Sequence, residues 1–121
     1  MRPHERLDVW KASLDLVAEI YRITKSFPKE EVYGLTSQIR RSAISIPSNI
    51  AEGCARKGKK ERDQFLYIAR GSLSELETQL HISLRLEFLD KTIHERLLQE
   101  CRRISAMLDG LIQKAGPSPG S

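Results

Sequence analysis

Four stretches of the chain repeat apolar residues at three- and four-residue spacing, the period of an amphipathic α-helix. In the first, Leu7, Trp10, Leu14, Val17, Tyr21 and Thr24 form one stripe, and Val9, Leu16, Ile20, Ile23 and Phe27 form a second beside it. Together they cover roughly 200° of the helix, well beyond the arc of about 100° that a single bundle seam requires. Two readings follow: a second packing surface supplied by another subunit, or a helix buried centrally within its own bundle. Phe27-Pro28 ends this helix, because proline disfavours helical geometry in the residue before it. Lys29, Glu30, Glu31 and Val32 then form a short turn or an acidic half-turn, suited to the positive end of the next helix.

The second helix runs from about Gly34 to Ala51, with Leu35, Ile39, Ala43, Ile46 and Ile50 as its core seam. A polar stripe of Gln38, Arg41, Ser45, Ser48 or Asn49, and Glu52 lies beside it at the same spacing. Pro47 falls inside the pattern. It lacks an amide proton and its ring crowds the carbonyl of Ala43, so it predicts a bend or a new turn, at about 3 kcal/mol without compensation. Ser45 and Ser48 are placed to bond the freed backbone groups, and Gly53 reads as a left-handed stop.

The third helix spans about Lys60 to Phe88 on a seam of Leu66, Ala69, Leu73, Leu76, Leu80 and Leu84, flanked by Phe65, Ile68 and Ile82. Gly71 lowers helix propensity in mid-span and is read as permitting close approach of a neighbouring helix. Ser72, Glu75 and Gln79 form a second polar stripe. Set against Arg41, Asn49 and Glu52, it predicts a structural polar network of Arg41, Asn49, Glu52, Ser72 and Glu75 at a helix or subunit contact, with catalysis as the competing use. After Leu89-Asp90-Lys91, the run Thr92-Ile93-His94-Glu95 reads as a capping box opening the fourth helix. Its seam is Ile93, Leu97, Cys101, Ile104, Leu108 and Leu111, with Leu98 and Ile112 beside it. Residues 1–115 form one domain, and Gly116-Pro117-Ser118-Pro119-Gly120-Ser121 a flexible tail.

Composition sharpens this all-α picture. The 121 residues suffice for one core, and 20 Lys and Arg against 16 Asp and Glu give a formal charge of +4, a mild bias toward polyanions. The cations concentrate in Arg56-Lys57-Gly58-Lys59-Lys60-Glu61-Arg62, either a solvated loop or a phosphate-contacting patch without base specificity. Arg40, Arg56, Lys57, Lys59, Lys60 and Arg62 are the candidate phosphate contacts. No aromatic lies inside the run, which argues against a stacking platform for single strands. Cys54 and Cys101 are far apart and read as reduced thiols of a cytoplasmic protein. His4, His81 and His94 lack partners at triad or ligand spacing, and the carboxylates lack the Glu-x-x-His signature of a di-iron bundle. No metal, cofactor or catalytic residue is therefore expected. No stretch approaches the length of apolar chain needed to span a membrane.

Leu7-Asp8-Val9-Trp10, Phe27-Pro28, Gly34-Leu35, Gln38-Ile39-Arg40-Arg41, Ser45-Ile46-Pro47-Ser48-Asn49-Ile50-Ala51-Glu52-Gly53 and Ala69-Arg70-Gly71-Ser72 together resemble the four-helix-bundle proteins named after intervening sequences in bacterial 23S ribosomal RNA genes. Accessory proteins of diversity-generating retroelements are similar to the same group. The resemblance covers about residues 5 to 114 and departs from the usual pattern at Ser42, where alanine is common. It implies an antiparallel up-down bundle that closes into a homopentameric barrel and associates with RNA, DNA or a nucleic-acid enzyme. The expected function is a non-enzymatic scaffold with a nucleic-acid-binding surface. A protein-protein adaptor without nucleic-acid contact is the alternative.

Overall fold

The computed structural model describes residues 1–114; the tail expected at 116–121 and the last residue of the expected domain lie outside them. Four α-helices, α1 (Asp8–Thr24), α2 (Leu35–Cys54), α3 (Lys59–Arg85) and α4 (Lys91–Gln113), follow one another, with short 3-10 turns at Pro3–Arg6 and Lys29–Glu31. The described residues form no strand. Between α2 and α3, Ser42 meets Glu75, Ser45 meets Ser72 and Gly53 faces Arg62, so residue numbers rise along one helix as they fall along the other. The same inverse register relates α3 to α4 through Arg70 with Asp109 and His81 with His94.

The apolar seams meet in one core. Leu16, Ile20, Ile39, Ile46, Ile50, Leu66, Leu73, Leu76, Leu80, Leu97, Ile104 and Leu108 are fully enclosed there, and each contributes about 1.5–3 kcal/mol by leaving water. On α1 the two stripes are covered unequally: Leu7, Trp10 and Val17 of the first are half-buried against the core and Thr24 is buried. Val9, Leu16 and Ile20 are buried, whereas Leu14 and Tyr21 remain 41% and 36% exposed. The chain's own bundle therefore does not enclose the wide arc.

Helix ends depart from the pattern in instructive ways. The first helix stops at Thr24, whose hydroxyl donates back to the Ile20 carbonyl at 2.7 Å. Glu31 Oε1 accepts from the Leu35 amide at 3.1 Å, which confirms an acidic half-turn ahead of α2. At α4 the expected capping box gives way to Asp90, whose carboxylate accepts from the Ile93 amide at 2.8 Å. Asp90 is the better cap because it precedes the first helical turn, which already contains Thr92. The third helix ends at Arg85, short of the expected Phe88, in a Schellman closure. Phe88 N donates to Ser83 O at 2.9 Å and Glu87 N to Leu84 O at 3.0 Å, while Glu87 sits at φ 63°.

Neither Gly53 nor Gly71 plays its expected role. Gly53 is no stop: the helix runs through it to Cys54. A Cβ there would lie 2.9 Å from the Arg62 carbonyl oxygen and 3.2 Å from Phe65 Cβ, so Gly53 is where α2 and α3 approach most demandingly. Around Gly71 a Cβ would meet nothing within 4 Å, and no neighbouring helix uses the space. Pro47 is buried within an uninterrupted α2 and does not start a new turn. Among the described residues neither Ser45 nor Ser48 bonds a freed backbone group; the Asn49 side-chain amide instead donates to the Ser45 carbonyl at 2.8 Å and to Ser45 Oγ at 2.9 Å.

Candidate functional site

The cations expected to contact phosphate divide by local geometry. Arg56 and Lys59 each have an acidic neighbour one helical turn away, the spacing at which side chains meet. Arg56 pairs with Glu52 at 3.1 Å and its guanidinium lies 4.7 Å from the Phe65 ring centre; Lys59 pairs with Asp63. Arg62 reaches across the bundle, donating to the Leu111 and Lys114 carbonyls at 3.2 Å each while pairing with Asp63 at 3.1 Å. It thus places a cation at the negative end of α4. Burial tends to raise the pKa of Asp63, but hydrogen bonds and charge from Lys59 and Arg62 outweigh it and hold the carboxyl below its ordinary range.

Arg40 serves the end of α1 in the same way. Its Nε donates to Thr24 Oγ1 at 2.9 Å, Nη2 donates to the Tyr21 carbonyl at 3.4 Å, and the guanidinium lies 4.4 Å from the Tyr21 ring centre. Arg40 stands apart from the five cations of the α2–α3 corner. There, Lys57 and Lys60 are exposed and have no ion-pair partner among the described residues. Gly58 caps α3 without any side-chain acceptor, so that helix presents the positive end of its dipole beside both lysines.

The polar stripes of α2 and α3 do meet, with a membership that differs from expectation. Ser72 donates to Ser45 Oγ at 2.8 Å, joining Asn49 through Ser45, and Ser42 donates to Glu75 Oε1 at 2.9 Å. Asn49, Ser72 and Glu75 therefore belong to the seam. Glu52 does not; it turns to Arg56. Arg41 is exposed and makes no hydrogen bond to it, but lines a polar groove of about 310 Å³ with Gln38, Ser42, Ser45, Glu75 and Gln79. Ser42 and Ser45, absent from the expected network, form its cross-helix bonds. Ser45 stood on the expected α2 stripe; Ser42 did not, and its spacing of four from Gln38 and three from Ser45 was the available signal.

Beyond the groove, His94 Nε2 and His81 Nδ1 lie 3.0 Å apart between α4 and α3. Among the described residues no group of three or more His, Cys, Asp or Glu side chains is arranged to hold a metal ion, and no helix is long and apolar enough to cross a membrane.

A four-helix all-α domain with a basic interhelical corner and a serine-centred polar seam is the class of protein these features define. The family model described as 23S rRNA-intervening sequence protein matches residues 5–110, and the chain belongs to that family. Its fold is similar to the crystal structure of a protein of unknown function from the S23 ribosomal protein family of Bacteroides thetaiotaomicron VPI-5482. The TM-score is 0.78 at 24% identity, covering 88% of this chain and 99% of that one. No curated protein matches the chain.

Proposed function

We propose that the chain is a non-enzymatic cytoplasmic scaffold, an antiparallel up-down bundle that closes into a homopentameric barrel and contacts RNA through the α2–α3 corner. The observation that carries the nucleic-acid reading is the pair Lys57 and Lys60, exposed and without ion-pair partners beside the N-terminus of α3. Backbone phosphates are recognised by such cations without base readout. The family description, 23S rRNA-intervening sequence protein, points to the same class of polyanion. Self-association is supported by the partly exposed α1 stripe, where Leu14 and Tyr21 face solvent. With Ile44 and Pro47 of α2, Trp10, Leu14 and Val17 line an apolar groove of about 350 Å³, and Tyr67 and Ile68 expose a second apolar patch on α3, 49% and 51% exposed. Two separate apolar patches suit the head-to-tail contacts that close a ring.

Fluorescence anisotropy with labelled single-stranded RNA across a salt series tests the RNA contact. If both lysines touch phosphate, the slope of log K against log salt falls by about 1.4 in Lys57→Ser/Lys60→Ser, at about 0.7 per contact. An unchanged slope, or no binding at low salt, rejects the contact. It would favour the adaptor, a reading supported by Tyr33, 96% exposed in the α1–α2 connection. Light scattering tests assembly separately, since a pentamer has five times the 13.8 kDa mass of the chain.

A further inference from the structure

His81 of α3 and His94 of α4 are 13 residues apart in the chain, yet the fold sets their rings against each other. The facing nitrogens, His81 Nδ1 and His94 Nε2, lie 3.0 Å apart, with the ring centres separated by 5.0 Å and the planes tilted by 57°. A gap of that size holds one proton, so one nitrogen donates and the other accepts through a lone pair. Neither the basic corner nor the apolar patches include the pair. The apolar groove lies on α1 and α2, and Tyr67 and Ile68 precede His81 by at least 13 residues, about 20 Å along the helix at about 1.5 Å per residue.

That spacing suits a metal ion as well as a proton. Imidazole nitrogens bound at about 2.0–2.1 Å, at the angles of a tetrahedral or square-planar ion, stand about 2.8–3.4 Å from each other. The observed separation falls inside that range, so an ion can replace the shared proton without moving either helix far. Both ring nitrogens serve as ligands, and neutral imidazole suits Zn²⁺, Cu²⁺ and Ni²⁺ rather than the hard cations Mg²⁺ and Ca²⁺. Access is from the α3 side. His94 is only 7% exposed, but His81 is half-buried and the contact between them is only partly enclosed. Glu77 precedes His81 by one helical turn, the spacing at which side chains meet, and has no ion pair among the described residues. With Glu95 it offsets Arg85 and Arg102, the cations that act on His94. No third side chain is already in place as a ligand among the described residues, so water fills the remaining positions, as it does where a zinc site stays open. We propose that His81 and His94 form a two-imidazole site for a divalent transition-metal ion of the Zn²⁺ or Cu²⁺ kind, which clamps α3 to α4.

Isothermal titration calorimetry of the untagged full chain, stripped of metal with EDTA, against zinc chloride tests this, with magnesium chloride as the control. Zn²⁺ should bind saturably at one ion per chain, and Mg²⁺ should give no binding heat. Zn²⁺ should also raise the urea midpoint of the unmodified protein, because an ion that bridges two helices binds the folded state alone. In His81→Ala, at a half-buried position outside the core, affinity should fall at least about tenfold and the zinc-dependent shift in midpoint should vanish. His94→Gln should behave alike; where burial makes that variant fail to fold by far-UV circular dichroism, His81→Ala carries the test. Cu²⁺ bound to the unmodified protein should show coupling to two nitrogens in its electron paramagnetic resonance spectrum, a signature that a merely structural histidine pair would not give. The proposal is overturned if Zn²⁺ does not bind saturably or leaves the midpoint of the unmodified protein unmoved. It is equally overturned if His81→Ala binds Zn²⁺ as tightly as the unmodified protein, because the ion would then sit elsewhere.

Discussion

Replacing Gly53 with alanine tests the α2–α3 contact most directly. The new methyl would sit 2.9 Å from the Arg62 carbonyl oxygen, 3.2 Å from Phe65 Cβ and 3.5 Å from Leu66 Cδ2. Its closest neighbour is backbone in the first turns of α3, so no side-chain rotation relieves the contact and the helices must separate by several tenths of an ångström. Overpacking of this kind costs about 1–3 kcal/mol. Alanine's better helix propensity returns at most about 1 kcal/mol, and less near a helix end, where Gly53 lies. A net loss of about 1 kcal/mol follows. Gly71→Ala is the matched control: a mid-helix glycine with nothing within 4 Å of the added carbon should gain about 1 kcal/mol from propensity alone. The difference of about 2 kcal/mol isolates the steric contact. Urea unfolding followed by far-UV circular dichroism, at one protein concentration, should show the two midpoints moving in opposite directions at constant slope. A Gly53→Ala protein as stable as Gly71→Ala would refute the close approach.

Other outcomes follow from single observed contacts. Glu87 adopts a left-handed φ of 63° that costs an L-residue roughly 1 kcal/mol, so Glu87→Gly should raise the urea midpoint, whereas Glu87→Val should lower it. Asp90→Ala removes the side-chain cap of α4 and should cost about 1 kcal/mol in the same assay. Burial, followed by the neighbouring His81, lowers the pKa of His94 from 6.5, with Glu95 opposing and Arg102 and Arg85 assisting. The unfolded chain then takes up the proton first, so the stability His94 confers is present above about pH 6.5 and is lost as pH falls toward its folded pKa; His94→Gln should flatten that slope in urea midpoints measured from pH 7.5 to 5. Burial, reinforced by Glu77 and Glu100, pushes the Cys101 thiol up to about 12, and a maleimide should label it only when the protein unfolds.

The four helices were legible because their apolar periodicity is a local property that tertiary packing reinforces. Helix ends were less legible, since they depend on which of several polar residues wins the first amide. Thr92 and Asp90 both have the chemistry of a cap, and only the chain's path at Asp90, with φ −85° and ψ 168°, decides between them. The glycines show the limit most clearly. Gly53 and Gly71 look alike as interruptions of a helical pattern, yet one faces a backbone and the other open space. That distinction lives in the separation of two helices, which no spacing within one helix encodes.

The candidate site divides along the same line. Arg56 with Glu52 and Lys59 with Asp63 are separations of four residues, so their pairing was readable from spacing alone. Arg40 and Arg62 were not readable, because each serves the C-terminal carbonyls of a helix far away in the chain. With Arg56, Lys59 and Arg62 paired, the five cations of the basic corner leave unpaired charge on Lys57 and Lys60 alone, two cations rather than a broad patch. The polar stripe was visible as a stripe, but Arg41 and Gln79 take their meaning from what they fail to contact. A residue type and spacing can announce a network; a buried amide oxygen left unpaired, as at Gln79, appears only when every neighbour has been placed.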